Sequence, residues 1–352
     1  MRTLALLAML LLVPVAIATA AVTAGDDPIP GASGTVWVTE RTPGSSSVAA
    51  FDAATGDLLG WTPVGSTPIG VVVPHGSAYA YSSDEAADQM SVISRDEIRV
   101  VATIPMGTAS KPHHLMAGPN GKLIYVAEYN HNVVGVVDTA RNENVEDFVA
   151  SRNGLAKTHA VWITGDGKDL YTTNEGATQT SGGTLSKLDA RSGGLVWEIP
   201  IGIRPSEVLV TKDRKTAYVS VRNDNAVRIV DVSGEEPVLG PVVAIGTQPD
   251  TLQLSNDGRT LVVGLRGTPQ LAFMDTETLE VRKVTVAGHG ISGHEWVSAN
   301  GRFTFVAMEG AGSSPGSLAT IDTETGEVLR DTPYPTGLLR PHGAFYEPQV
   351  LR

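Results

Sequence analysis

Four of the eight histidines in this sequence occupy equivalent places in a repeated phrase, so their side chains could converge on one site. The phrase contains an X-Pro step, with Thr158 and Gly293 in place of the proline in two copies, and then one variable residue. In chain order the variable residue is Ile69, His113, His159, Ser206, Asp250, His294 and His342. Successive copies lie 44 to 48 residues apart, which indicates one structural position that is repeated seven times.

Imidazole groups from different repeats are suited to bind a transition metal. The chain contains no cysteine, so such a site would use nitrogen and carboxylate ligands, and neutral imidazole is a good ligand for zinc or copper. We therefore predict a zinc or copper cofactor held by His113, His159, His294, His342 and Asp250. A pocket for a small polar molecule is one alternative. A structural role, in which the histidines bond only to backbone and water, is the other.

A second set of charged residues is predicted on the same face, in the loop after a Tyr-Val-type strand. Its aligned members include Glu40, Tyr129, Glu175, Arg222, Arg266 and Glu309. Arg222 and Arg266 are suited to hold a carboxylate or phosphate group, because guanidinium forms paired hydrogen bonds to both. Glu175 and Glu309 are predicted to contact the same ligand. A ring of mutual salt bridges explains these charges equally well.

The same residues are also compatible with catalysis. His159 or His294 would act as a general base, and a bound cation or Arg222 would stabilise a developing enolate or oxyanion. The predicted activity is then that of a lyase or a lactone hydrolase.

The repeat predicts the elements that position these residues. Equivalent strands recur at residues 124–127, 217–220 and 304–307, and a strand that ends in aspartate follows each of them. Asx-Gly turns, as at Gly121 and Gly258, suit the positive φ angles of tight hairpins. Four short strands per repeat are typical of a β-propeller blade. We therefore predict an all-β, seven-bladed β-propeller with four-stranded blades around a central channel.

The two ends of the chain are predicted to close the ring together. The last repeat begins at Pro341 and has one strand, at residues 343–347. Three strand-like segments near the start, at residues 35–38, 47–52 and 58–61, have no repeat of their own. Pairing these N-terminal strands with the C-terminal strand completes the seventh blade and removes open sheet edges.

The repeat resembles that of the YVTN family of seven-bladed propellers, which is named for a Tyr-Val-Thr-Asn strand. The nearest matches are residues 125–128 (YVAE) and 171–174 (YTTN), and neither is complete. The resemblance covers nearly all of the chain after residue 33 and implies the propeller fold. It implies no single function, because such propellers resemble lactonases, lyases, metal-centre scaffolds and surface proteins.

The N-terminus has the features of a secretory signal peptide. Arg2 precedes an apolar run at residues 4–18, and Ala18 and Ala20 supply the small residues of a cleavage site. We predict a signal peptide at residues 1–20, a flexible lead-in at 21–33 and the propeller at 34–352. The mature chain would be extracytoplasmic, secreted or periplasmic, without a transmembrane domain. An uncleaved anchor is the alternative.

The charge of the chain narrows its partners. A formal net charge of −12 without a cluster of lysine and arginine argues against nucleic acid. A small molecule or a metal ion is the expected ligand. Our first hypothesis is an exported propeller that binds such a ligand at a His-rich channel mouth, as a metal carrier or accessory protein. An enzyme is the second hypothesis, and a surface scaffold for a protein partner is the third.

Overall fold

The computed structural model describes residues 27–312, 314–334 and 339–347, so the predicted signal peptide lies outside the described residues. Within them the chain forms seven four-stranded antiparallel sheets and one short 3-10 helix, Glu85–Ala87. The predicted all-β propeller with seven four-stranded blades is therefore confirmed. No helix in these ranges is both long enough and apolar enough to span a membrane.

Each blade runs from an inner strand beside the channel to an outer strand at the rim. Blade 1 contains β1 (Thr35–Glu40), β2 (Ser47–Asp52) and β3 (Leu58–Pro63). Blade 2 contains β4 (Pro68–Val72), β5 (Tyr79–Asp84), β6 (Gln89–Ser94) and β7 (Arg99–Pro105). Blade 3 contains β8 (Pro112–Ala117), β9 (Leu123–Glu128), β10 (Val133–Asp138) and β11 (Glu143–Val149). Blade 4 contains β12 (Lys157–Ile163), β13 (Asp169–Glu175), β14 (Gly182–Asp189) and β15 (Leu195–Ile203).

The remaining blades follow the same order along the chain. Blade 5 contains β16 (Pro205–Val210), β17 (Thr216–Val221), β18 (Ala226–Asp231) and β19 (Val238–Ala244). Blade 6 contains β20 (Pro249–Leu254), β21 (Thr260–Leu265), β22 (Gln270–Asp275) and β23 (Val281–Thr285). Blade 7 contains β24 (His289–Val297), β25 (Phe303–Gly310), β26 (Ser317–Asp322) and β27 (Val328–Pro333). The C-terminal strand, β28 (Pro341–Glu347), is the inner strand of blade 1.

The Tyr-Val-type strands are apolar on both faces because a neighbouring blade covers each face. In β9, Ile124 and Val126 pack into a core with residues of blade 2, whereas Tyr125 packs into a core with residues of blade 4. Alternate residues of a strand point to opposite faces, so covering both faces requires a nearly continuous apolar run. All three side chains are buried.

In six of the seven blades an aspartate ends the third strand and braces the following turn. Asp52 Oδ1 accepts the backbone N–H groups of Ala54 and Thr55, both at 2.8 Å. Carboxylates are good acceptors for the free N–H groups of a turn. The same type of bond recurs at Asp138, Asp189, Asp231, Asp275 and Asp322. Their recurrence therefore has a structural cause.

The ring closes as predicted, by pairing of the two ends of the chain. Strand β28 pairs antiparallel with β1, and Trp37 lies opposite Phe345. The segment just before β1 is also anchored: Ile29 is buried against blades 1 and 7, and its N–H donates to Ala54 O at 2.8 Å. This part of the predicted flexible lead-in is thus packed on the propeller.

Candidate functional site

Three equivalent positions from each blade form one end of the channel, which we term the mouth. The first position is the residue X of the X-Pro step, directly before the proline or its replacement: Thr67, Lys111, Lys157, Arg204, Gln248, Ser292 and Arg340. The second is the variable residue that carries the predicted histidines. The third lies at or next to the end of the second strand of each blade, counted outward from the channel. Its members are Arg41, Glu85, Tyr129, Glu175, Arg222, Arg266 and Glu309.

The four predicted histidines lie together at the second position. The ring centroids of His113 and His159 are 4.3 Å apart, and those of His294 and His342 are 4.6 Å apart. His113 Nδ1 lies 3.2 Å from the carbonyl oxygen of His159, and His159 Nδ1 lies 2.8 Å from that of Ser206. A carbonyl only accepts, so both Nδ1 atoms carry the proton and donate it. These bonds join neighbouring blades.

Burial keeps these histidines uncharged. Removal from water lowers the pKa of His113, His159 and His342 well below its ordinary value, and lowers that of His294 to about 3. Neighbouring arginines repel the protonated form and act in the same direction. At neutral pH the mouth therefore presents neutral imidazoles.

The predicted metal ligands are close together but do not form a metal-binding cluster. In the described ranges no three His, Asp or Glu side chains are arranged to hold one ion. His159 Nε2 lies 3.0 Å from Arg222 Nη2 and accepts a hydrogen bond from it. Asp250 is ion-paired with both Arg222 and Arg266. The zinc or copper site gains no support from this geometry and stays a prediction, which metal analysis of protein purified without chelators would check.

The residues predicted to bind a ligand contact each other in a network of ion pairs. Asp250 forms a short contact with Arg222 and lies 3.5 Å from Arg266 Nη1. Arg266 Nη2 is in turn 3.7 Å from Glu309 Oε1, and its Nη1 is 3.2 Å from His342 Nδ1. The salt-bridge alternative raised from the sequence is therefore present in the structure.

Glu175 forms the other end of the network. Its Oε2 accepts a hydrogen bond from the hydroxyl of Tyr129 at 2.8 Å. Its Oε1 lies 3.2 Å from Arg204 Nη2 and 3.7 Å from Arg222 Nη1. The structure thus brings all four predicted ligand-contacting residues, Glu175, Arg222, Arg266 and Glu309, to the same mouth as the histidines.

Five cations of the mouth were not predicted from the sequence. Arg41, and not Glu40, occupies the third position of blade 1, where it pairs with Glu309. Glu40 lies one residue deeper and accepts the backbone N–H groups of Thr42 at 2.6 Å and Arg340 at 3.2 Å. The other four cations occupy the X position of the X-Pro step, and alignment of that position would have revealed them: Lys111, Lys157, Arg204 and Arg340.

The mouth is positively charged, although the chain as a whole carries −12. Its three positions contain seven lysines and arginines against four aspartates and glutamates, a formal charge of +3 when the histidines are neutral. Some of these cations are accessible: the side chain of Arg340 is 45% exposed and that of Arg204 is 22% exposed. Lys157 Nζ lies over the Tyr129 ring, 5.2 Å from its centroid.

An organic ligand would have to bind at the mouth and not inside the channel. Beneath the histidines the channel narrows to a cavity of about 20 Å³, which is room for roughly one water molecule. Two larger clefts, of about 800 and 740 Å³, lie on the opposite face. They are lined by hairpin-turn residues of neighbouring blades, such as Asn256 and Asn300 in the first and His75 in the second.

The fold and the site define a class: a closed seven-bladed β-propeller with a ring of neutral histidines and a net positive charge at one mouth of its channel. Residues 87–345 match the sequence profile of the YNCE-like beta-propellers. The chain belongs to this family, in agreement with the predicted seven-bladed propeller type. No curated protein sequence matches the chain.

Solved structures share the propeller over nearly their full length. Hydrazine synthase of Kuenenia stuttgartiensis is 21% identical, with a TM-score of 0.68 over 86% of this chain and 97% of that chain. The periplasmic gluconolactonase of Pseudomonas aeruginosa is 18% identical, with a TM-score of 0.69 over 89% and 98%. A protein of Bacteroides fragilis, proposed to be a 6-phosphogluconolactonase, is 18% identical, with a TM-score of 0.67 over 91% and 100%. At these identities the likeness establishes the shared fold.

Proposed function

We propose that this protein binds a small organic anion, with a carboxylate or phosphate group, at the mouth of its channel. The observation that carries the proposal is the formal charge of +3 at the mouth of a chain that carries −12. A local excess of positive charge attracts anions and raises their local concentration. Export from the cytoplasm belongs to the same proposal and rests on the signal-peptide pattern.

The part of the mouth around Glu309 is the best-suited subsite for the anionic group. Three guanidinium groups surround this one carboxylate: Arg41 in a short contact, Arg340 Nε at 3.5 Å and Arg266 Nη2 at 3.7 Å. Asp250 also contacts Arg266, so these three guanidinium groups meet two carboxylates, and Asp250 is shared with Arg222. A carboxylate or phosphate of a ligand would supply the missing charge and accept paired hydrogen bonds.

Two properties of Arg41 indicate an excess of positive charge around Glu309. Its Nε is buried and has no hydrogen-bond partner among the described residues. Burial and repulsion by Arg266 and Arg340 lower the pKa of Arg41 to about 10, although Glu309 acts in the opposite direction. A bound anion would relieve both conditions.

The histidines beside this subsite are suited to recognise uncharged polar groups of the same ligand. His294 packs against the His342 ring at 4.6 Å, and its ring nitrogens make no hydrogen bond within the described ranges. A neutral imidazole has one donor and one acceptor, so His294 can bond to a hydroxyl or carbonyl group. A hydroxylated carboxylic or phosphorylated acid fits both parts of the site.

Calorimetric titration tests this proposal. Gluconate, 6-phosphogluconate and inorganic phosphate are compared with uncharged glucose, and we expect binding of the anions only. Arg266→Gln should weaken anion binding about 10- to 100-fold, because a hydrogen bond to a charged group contributes about 1.5–3 kcal/mol. Arg302→Gln is the matched control, since Arg302 is exposed on the opposite face. The proposal fails if no anion binds, or if both variants lose affinity equally.

Hydrolysis of a sugar lactone is the second candidate function. The free nitrogens of His294 favour it, and two of the similar structures are described as lactonases. In this reaction His294 would remove a proton from water as the oxygen attacks the lactone carbonyl. Arg266 would stabilise the oxyanion, and the ring C–O bond would then break as its alkoxide takes up the proton. His159 is less suited as the base, because its Nε2 already accepts from Arg222.

A hydrolysis assay separates this candidate from simple binding. Gluconolactone and 6-phosphogluconolactone are followed against their spontaneous opening. If the protein is a lactonase, His294→Gln should lose turnover while gluconate still binds through the arginines. Rates no higher than the spontaneous ones would exclude the enzyme and leave anion binding intact.

A further inference from the structure

The residues that follow the mouth histidines in the chain form a second, deeper layer of the channel, which we term the floor. In chain order they are Gly70, His114, Ala160, Glu207, Thr251, Glu295 and Gly343. Side chains are small in three blades and polar in the other four, so space and polar groups occur together. The cavity of about 20 Å³ lies in this layer, and the Gln253 side chain also lines it.

Glu207 is held in place as a buried carboxylate. The backbone N–H of Val161 donates to His114 Nδ1 at 3.4 Å, so the proton of this imidazole is on Nε2. His114 Nε2 lies 3.2 Å from Glu207 Oε1, and Glu207 Oε2 accepts the N–H of Leu252 at 2.8 Å. Both donors are uncharged groups, and neither lysine nor arginine lines the cavity.

Glu295 is the second carboxyl group of the floor, and one of its oxygens has no partner. The residue is 1% exposed, and Oε2 accepts a short hydrogen bond from the Thr251 hydroxyl. Oε1 is buried and makes no hydrogen bond to any described residue. A buried acceptor of this kind is unfavourable unless a donor or a cation meets it.

We propose that the floor binds a single calcium ion between Glu207 and Glu295. Carboxylate, hydroxyl and amide oxygens are typical calcium ligands, and calcium accepts them in flexible geometry. Two carboxylates balance its charge. Since only two take part, the Thr251 hydroxyl and the Gln253 amide oxygen, from residues that also line the cavity, would supply further oxygen ligands. His294 lines the same cavity, but the site contains none of the arginines of the anion subsite and does not rest on the proposed function.

The dimensions and donors of the floor disfavour other metals. Magnesium retains several water molecules, for which a cavity of about 20 Å³ has no room. Zinc and copper prefer several nitrogen ligands, but both nitrogens of His114 already have protein partners, which leaves His294 as the one imidazole of the cavity lining without a hydrogen-bond partner in the described ranges. A proton is the main competitor, because burial and the nearby charge of Glu207 raise the pKa of Glu295 well above its ordinary value.

Equilibrium dialysis with radioactive calcium tests the site directly on the full chain after treatment with a chelator. We expect one calcium ion per chain for the wild type and less than about one tenth of that for Glu295→Gln, a change that keeps the size of the side chain. Glu324→Gln is the matched control, because Glu324 is exposed on the opposite face. Calcium should also raise the unfolding temperature, whereas magnesium, sodium or choline chloride at equal ionic strength should not.

The first measurement, calcium binding by the wild type, needs no variant. Its result therefore does not depend on whether Glu295→Gln folds. Absence of bound calcium in the wild type overturns the proposal. Equal binding by the wild type and Glu295→Gln also overturns it, because the ion then lies elsewhere. Gln253→Leu provides a second variant without a change of charge, and it should weaken calcium binding measurably.

Discussion

His294 belongs to the mouth of the channel and Glu295 to its floor, although the two residues are neighbours in the chain. The mouth has seven cations and four carboxylates, several of them reached by water, around uncharged imidazoles. The floor has two buried carboxyl groups, no lining cation and a cavity of about 20 Å³. Adjacent layers of one channel therefore differ in the sign of their charge and in their access to solvent.

This difference shows how one repeated backbone supports two kinds of site. At the start of the inner strands the pairing register shifts, as between Pro112 and Leu115 and between Pro249 and Leu252. Such an irregularity interrupts the usual alternation of side chains, so two consecutive residues of one strand can both face the channel. At the mouth, ions of both signs pair with each other and with water. In the floor there is no room for a shell of water, and unbalanced charge there favours a bound ion.

The largest expected effect comes from the centre of the mouth network. Asp250→Asn leaves Arg222 and Arg266 without the carboxylate that both of them contact. Asp250 is 3% exposed, so we expect the free energy of unfolding to fall by about 3–5 kcal/mol in urea titrations. The control is Asp166→Asn, which weakens an exposed pair with Arg214 and should cost about 1 kcal/mol or less. Similar losses of unfolding free energy in the two variants would show that the ion pairs of the mouth contribute no more to stability than an exposed pair.

The second effect concerns the stability of the mouth in acid. The pKa of His294 is about 3 in the folded protein and about 6.5 in the unfolded chain, so unfolding takes up a proton below pH 6.5. The contribution of neutral His294 is therefore present above pH 6.5 and is lost as the pH falls toward 3. Between pH 7 and 5 this histidine should lower the free energy of unfolding by at most about 2 kcal/mol.

Urea unfolding at several pH values checks this expectation. The free energy of unfolding should decline less with falling pH in His294→Gln than in the wild type. A His75→Gln control should keep the wild-type decline, since His75 is exposed on the opposite face. Parallel curves for all three proteins would mean that His294 is not held neutral by the fold.

A smaller effect is expected at the outer edge of the mouth. Arg340→Gln removes a cation that is 45% exposed and lies 3.5 Å from Glu309. Stability should change by about 1 kcal/mol or less, because exposed ion pairs contribute little. Affinity for an organic anion should nevertheless fall several-fold in calorimetric titrations, more at low salt than at high salt. Unchanged affinity at low salt would remove Arg340 from the binding surface.

The smallest expected effect sharpens the separation of mouth and floor. Glu295→Gln should change the affinity of the mouth for an anion by less than about twofold, because sites without shared partners act independently. Glu295 contacts Thr251 and none of the mouth arginines. A change of tenfold or more would show that the two layers act as one site.

The fold could be predicted from the sequence because each blade repeats the same local requirements. The Tyr125 strand is apolar on both faces, the Asp52 carboxylate braces its own turn, and β1 needs a partner that β28 supplies. These requirements depend on neighbours in the chain or on the next copy of the repeat. The packed end of the lead-in was not predicted, since the partners of Ile29 come from blades 1 and 7.

The candidate site was predicted only in part. The repeat placed the four histidines at equivalent positions, and the structure brings them together. The repeat did not reveal that Arg222 donates a hydrogen bond to His159 or that Asp250 is shared by two arginines. Arg41 was missed because the loop of blade 1 was aligned one residue early.

The sequence by itself determined the repeat, the number of blades, the closure of the ring and the polar residue types that line its channel. Tertiary structure alone decided which side chains contact each other, which of them water reaches, and how narrow the channel is below the histidines. The physical reason is that repeat spacing places backbones, whereas charge and pKa depend on neighbours from other blades. Asp250 illustrates this, because its carboxyl group meets arginines from blades 5 and 6.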